Sequence, residues 1–170
     1  MRKRAGRHPS PSVGSIDSQS VKTSRRGGLR GIDGGKKVKG RKRHLVVDSL
    51  GLLLCVHVHP ANIHDIKAGF EVLEKLRGRF PRLRKIWADG GYQGPLGEKV
   101  KIRLGWIIEI VQRKRPWEGF KPLTKRWVVE RTFAWFESYR RLAKDFEFLP
   151  QTSETMITLA MTRLMLKRIK

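Results

Sequence analysis

A single cysteine, Cys55, stands among the 170 residues, which excludes an intramolecular disulfide and any zinc site built from several thiolates. It lies in the apolar run Leu52-Leu53-Leu54-Cys55-Val56, where a small buried hydrophobe is its ordinary role. Long apolar stretches are lacking too, and no run suffices to cross a bilayer. The basic start, Met1-Arg2-Lys3-Arg4, leads into Gly, Pro and Ser rather than the apolar core of a signal peptide. A cytoplasmic location is expected. Acidic residues are scarce: 15 Asp plus Glu face 38 Lys plus Arg, a formal charge of +23. Such an excess repels itself in a compact chain and points to a polyanionic partner, nucleic acid by default and no membrane.

What is present supports a folded core. The hydrophobic fraction is 39% and includes five Trp and seven Phe, which suits one compact domain of this length. Residues 1–12 read as a basic linker remnant and residues 13–170 as the domain. Residues 13–22 form an expected first strand containing Asp17, and the Gly- and cation-rich stretch 25–43 reads as a mobile loop. A hairpin follows, with strands at 44–47 and 52–58 around the turn Asp48-Ser49-Leu50-Gly51. Asn62 or Asp65 is placed to cap a helix reaching about Arg79. A short buried strand at 84–89 runs into Gly90-Gly91. A helix at 95–104, a strand at 106–111, a basic loop at 112–125 and helices at 126–147 and 153–169 complete the pattern. The order predicts an α/β fold with a mixed sheet flanked by helices.

Three acids sit where acids are costly: Asp17 within a strand, Asp89 at a strand end before a Gly-Gly turn, and Glu130 on the long helix. Carboxylates among so many cations form a natural seat for Mg²⁺, which keeps other positions for water and phosphate oxygens. On a helix turning 100° per residue, Arg126, Ala134, Glu137, Arg141 and Lys144 fall near Glu130. Val128, Trp135, Phe136, Tyr139, Leu142, Ala143 and Phe146 fall opposite and are expected to pack on the sheet. Arg126 and Glu130 also fit a plain i,i+4 salt pair on a solvated face. His57 and His59 share a strand face but lack a third ligand, so they do not read as a zinc site. Trp87, Trp106, Trp127 and Trp135 are expected in the core.

The runs Ile16-Asp17-Ser18-Gln19-Ser20-Val21-Lys22, Gly35-Lys36-Lys37-Val38-Lys39-Gly40-Arg41-Lys42-Arg43-His44, Trp87-Ala88-Asp89-Gly90-Gly91-Tyr92 and Arg126-Trp127-Val128-Val129-Glu130-Arg131-Thr132 closely resemble bacterial insertion-sequence transposases of the DDE class. The resemblance covers nearly the whole chain and implies an RNase H-like fold. Asp17, Asp89 and Glu130 match the three catalytic, metal-holding acids. Many relatives carry Tyr-x2-Arg-x3-Glu-x6-Lys around the third acid. Arg126 and Glu130 fit it, but Leu123 takes the Tyr position and Glu137 the Lys position, so Arg141 or Lys144 is expected to supply the cation. Only 16 residues precede Asp17, where relatives carry a substantial region that often recognises transposon ends. The expectation is a truncated copy, or one half of a split element whose upstream-frame product supplies that region.

The implied activity is DNA strand cleavage followed by strand transfer with two Mg²⁺ ions, Mn²⁺ being a substitute. No covalent protein intermediate is needed, so Ser18, Ser20 and Tyr92 are not nucleophiles. The expected DNA contacts are Lys22, Arg25, Arg26, Lys36, Lys37, Lys39, Arg41, Lys42 and Arg43 from the first basic region, with Arg126, Arg141 and Lys144 from the helix. Transposon inverted repeats and target DNA are the implied partners. Synapsis of two ends suggests a homodimer located with the nucleoid. The alternatives are a catalytically incomplete DNA-binding remnant of a transposase and a related RNase H-like nuclease that cuts without joining.

Overall fold

Leu45, Val46 and Val47 are consecutive and all fully buried. Successive residues of a strand point to opposite faces, so this strand has a core on each side. The computed structural model, which describes residues 1–112 and 123–168, shows why. Six strands, β1 (Val13–Lys22), β2 (Gly31–Asp33), β3 (Val38–Asp48), β4 (Leu53–Pro60), β5 (Lys85–Ala88) and β6 (Ile107–Ile110), form one mixed sheet. The order is β2-β3-β1-β5-β6, with β4 paired to β3 beside β2. The pairings of β3 with β1, β2 and β4 are antiparallel, whereas β1–β5 and β5–β6 are parallel.

Helices α1 (Asp65–Glu74) and α2 (Pro95–Leu104) cover one face; α3 (Thr124–Glu137) and α4 (Pro150–Lys167) cover the other. Ile16, Val46, Leu73, Ile86, Leu96 and Val100 fill the first core. Leu45, Val47, Val129, Phe133, Phe136 and Ile157 fill the second. Where β3 passes from β2 to β4, a Cβ at Gly40 would lie 1.9 Å from the carbonyl oxygen of Val21. Only glycine fits there.

Several expectations need correction. The stretch 25–43 is not one mobile loop: β2 lies within it, and residues 38–43 already belong to β3, paired with β1 from Lys22↔Gly40 onward. The helix expected at 126–147 stops at Glu137. Beyond it the backbone is drawn into other bonds: Asp145 N donates to Lys22 O at 2.9 Å, and Ser24 N to Asp145 O at 2.9 Å. The Arg43 guanidinium takes the carbonyls of Leu142 and Lys144. Those non-local bonds are incompatible with continued helical pairing. The cap of α1 is His64, not Asn62 or Asp65, and the helix ends at Glu74 before a series of turns.

Helix α4 starts with Pro150 in its first turn, which suits proline's fixed φ and missing N–H. Ser153 is therefore inside the helix, bonded to Asp145. Residues 1–12 are tied down rather than free: Arg2 pairs with buried Asp48, and Ser12 O accepts from Arg84 N at 3.0 Å. Trp106 is buried, but Trp127 is 43% exposed and so is not a core residue. Most of the expected basic loop at 112–125 lies outside the described residues.

Candidate active site

The parallel pairing of β1 with β5 ends at Ser15↔Trp87. Past that point β1 continues alone on that edge, and the next outward position on the α3 side is Asp17. Strand β5 stops at Ala88, so Asp89 is the first residue to leave the sheet beside it. Its carboxylate turns back to accept the Gly91 N–H at 2.9 Å, capping a short 3₁₀ turn. A Cβ at Gly91 would lie 3.1 Å from Asp89 Oδ1, so a larger residue there would crowd the carboxylate. Helix α3 lies over the same opening, with its buried Val129, Phe133 and Phe136 set in the second core. That packing turns Arg126 and Glu130, one turn apart, toward the two aspartates.

One guanidinium nitrogen connects all three acids. Arg126 Nη2 lies 3.5 Å from Asp17 Oδ2, 3.7 Å from Asp89 Oδ2 and 3.2 Å from Glu130 Oε1. The three acids thus surround a single cation position. Its negative charge is incompletely balanced: the Asp17 carboxyl is pushed up to about 6, first by burial and further by Asp89 and Glu130. The Ser18 N–H, 2.7 Å from Asp17 Oδ1, and Arg126 oppose that rise. Among the described residues no three carboxylate, imidazole or thiolate groups stand preassembled at ligand spacing; the acids are grouped around Arg126 instead. Hard carboxylate oxygens converging on one under-compensated cation position match the donor set of Mg²⁺ or Mn²⁺.

Behind Asp17, on the opposite face of β1, lies a polar network that sequence reasoning missed. Ser18 Oγ donates to Asp65 Oδ1 at 3.2 Å, and Lys42 Nζ donates to the same oxygen at 3.1 Å. His44 Nε2 lies 3.4 Å from it, and His44 Nδ1 is 2.9 Å from the Tyr92 hydroxyl. Burial depresses the His44 pKa, so the ring is neutral and its Nδ1 accepts the Tyr92 proton. Burial alone would raise the Asp65 pKa, but His44 and Lys42 outweigh it and hold this carboxyl well below the usual range. The available signal was the register: Ser18 opposite His44 and Ser20 opposite Lys42 place four polar side chains on one sheet face.

The expected cations separate into distinct groups. Lys22, Arg25, Lys37 and Lys39 surround an open cavity with Arg30. Arg26 and Lys36 are exposed, Lys36 reaching Ser18 O at 3.3 Å. Arg41, Lys42 and Arg43 are buried and face inward, which corrects their expected place on a DNA-contacting loop. Arg41 donates to the carbonyls of Leu29, Glu147 and Phe148 and contacts Asp145 at 3.2 Å. Arg126 joins the acids rather than an open face. Arg141 pairs with Glu147 at 2.9 Å, because α3 has ended before it. Lys144 is exposed beside a cavity floored by Val21 and Phe136.

Residues 8–165 match a family model described as a transposase DDE domain. Over 115 residues the chain is 36% identical to a putative transposase for insertion sequence element IS402 from Burkholderia cepacia. That match spans 64% of this chain and 54% of the relative, so the chain spans about half the relative's length. Among solved structures, the catalytic core domain of BIV integrase superposes with a TM-score of 0.54 at 16% identity, covering 88% of this chain and 80% of that one. A simian T-cell lymphotropic virus intasome, solved in complex with the PP2A regulatory subunit B56 gamma, gives 0.57 at 16% identity, covering 91% and 49%. The mixed sheet with flanking helices is therefore RNase H-like. At these identities the structural likeness concerns the fold alone.

Proposed function

Because the chain belongs to the transposase DDE domain family, we propose that it carries the catalytic site of a DNA transposase, cutting and joining phosphodiesters at insertion-sequence ends. The observation that carries this reading is the convergence of Asp17, Asp89 and Glu130 on the single position held by Arg126 Nη2. These three acids would hold Mg²⁺, with Mn²⁺ as a substitute. When bound, the metal supplies Lewis acidity that activates a water or a DNA 3′-hydroxyl and stabilises the departing oxygen.

The protein's own part is positioning. Ser18 N–H fixes one oxygen of Asp17, and Gly91 N–H fixes one oxygen of Asp89. Each carboxylate thereby keeps its other oxygen turned toward the shared position. Arg126, once released from the acids, carries its charge to the phosphate under attack, where a guanidinium binds two oxygens at once. The exposed Lys22, Arg25, Arg26, Lys36, Lys37, Lys39 and Lys144 supply phosphate contacts that are indifferent to sequence. Inverted-repeat and target DNA are the proposed partners.

The test is cleavage and joining of transposon-end DNA in Mg²⁺, with Asp89→Ala beside the unsubstituted chain. Loss of both steps in the variant supports the assignment. Unchanged activity refutes it. Cleavage without joining would instead favour a nuclease of the same fold.

A further inference from the structure

Strand β1 runs five residues beyond Asp17, to Lys22, and two cavities follow it. The nearer, about 370 Å³, opens beside Gln19, Val21, Phe136, Leu142 and Lys144. Gln19 is two residues from Asp17 and so on the same sheet face, and its Oε1 is buried without a hydrogen-bond partner. Among the described residues Glu137 is the one carboxylate lining this cavity, whose floor includes Val21, Phe136 and Leu142. The farther cavity, about 410 Å³, lies at the strand's end and is surrounded by Lys22, Arg25, Arg30, Lys37 and Lys39. Lys22 lines both, which makes them neighbours along a single route.

The farther cavity is uncompensated. Among the described residues no carboxylate lines it. Among the described residues, Lys22, Arg25, Lys37 and Lys39 make no ion pair, whereas Arg41 and Lys42 of the same basic region are paired internally. Lys37 is moreover held at φ 52, a left-handed conformation that residues with a side chain rarely adopt. Five clustered cations with no counter-charge repel one another and are stabilised by an oligoanion. At about 3.3 Å per strand residue, Lys22 lies roughly 17 Å from Asp17, which is about five base-pair rises of roughly 3.4 Å measured along a duplex axis. A DNA strand whose phosphate is attacked beside Asp17 is an oligoanion of that reach.

We propose that the two cavities form one track along β1 that holds a single sugar–phosphate backbone leading away from the phosphate attacked beside Asp17. The inference rests on the reading of Asp17, Asp89 and Glu130 as the site of phosphodiester chemistry. The nearer, less charged cavity takes sugar and base surface past Gln19, and the farther one takes phosphates.

The test is equilibrium binding in EDTA, measured by anisotropy, to a labelled DNA duplex of about 30 base pairs and arbitrary sequence over a range of salt. The triple variant Arg25→Ala/Lys37→Ala/Lys39→Ala is compared with a charge-matched control, Lys101→Ala/Arg103→Ala/Arg163→Ala, whose positions are exposed on α2 and α4. The track predicts that the first triple lowers the salt slope by about 2.7 and weakens binding on the order of 50-fold near physiological salt, while the control changes little. Equal losses in both triples would mean that bulk charge alone binds DNA, and would overturn the track; so would an unchanged slope in the first. Failure of the catalytic reading is separable, because it would show as undiminished cleavage by Asp89→Ala while the first triple still loses DNA binding.

Discussion

Arg126 Nη2 lies 3.5 Å from Asp17 Oδ2, although the two residues are 109 positions apart and on different elements. The same nitrogen reaches Asp89 and Glu130. A cation of α3 therefore occupies the place where the acids would hold a metal, and the two compete. Arg126→Gln should tighten Mn²⁺ binding to the DNA-free chain by about tenfold, equivalent to ~1.4 kcal/mol of lost competition. Titration calorimetry measures it. Weaker Mn²⁺ binding in the variant would show that Arg126 supports the site rather than competing for it.

Asp17 sets a pH dependence whose sign can be stated. Its carboxyl is raised from 3.8 to about 6, chiefly by burial, so the folded chain binds this proton more tightly than the unfolded chain does. The associated stability is fully present below about pH 4 and is lost as pH rises through about 6. At pH 7 in EDTA the buried anion is a net cost, and Asp17→Asn should stabilise the fold by about 2 kcal/mol. At pH 4 the two proteins should differ little. Thermal melts at both pH values decide it: equal stability at pH 7 would contradict the assigned burial.

Arg41 was expected to touch DNA and is instead a structural hub. Its guanidinium joins β3 to the carbonyls of Leu29, Glu147 and Phe148 and to Asp145. Arg41→Ala leaves Asp145 buried beside unmet acceptors and should cost about 3–5 kcal/mol in urea unfolding. Arg141→Ala, which removes a largely exposed guanidinium paired with Glu147 and set over the Phe146 ring, should cost less than about 1 kcal/mol.

Those two arginines show what the sequence could and could not reveal. Strand β1, the strand ending before Asp89 and the two apolar hairpin strands were legible because alternation and turn chemistry are local signals. The three acids were legible from the motifs around them, and Glu130 also from its polar helix face. The inward turn of Arg41, Lys42 and Arg43 was not, because a run of cations and glycines has the composition of a solvated loop. Most of their partners, from Ile63 to Phe148, lie far away in sequence. The end of α3 was hidden for the same reason: residues 138–147 carry a helical pattern, and bonds to β1, Ser24, Arg41 and Arg43 break it.

Tyr92, within the Asp89-Gly90-Gly91-Tyr92 run, serves through the network behind Asp17. Tyr92→Phe removes the hydroxyl that His44 Nδ1 accepts at 2.9 Å in a buried setting. A cost of about 1–2 kcal/mol is expected, the usual penalty of an unmet buried acceptor. Denaturant unfolding tests it, and a cost below about 0.3 kcal/mol would remove the network from the account.

The most direct measurement is the anomalous diffraction of Mn²⁺-soaked crystals of the chain. A peak is expected at the position now held by Arg126 Nη2, ligated by oxygens of Asp17, Asp89 and Glu130, with the Arg126 side chain turned away. A peak elsewhere, or none there while Arg126 stays among the acids at saturating Mn²⁺, would contradict this placement of the metal.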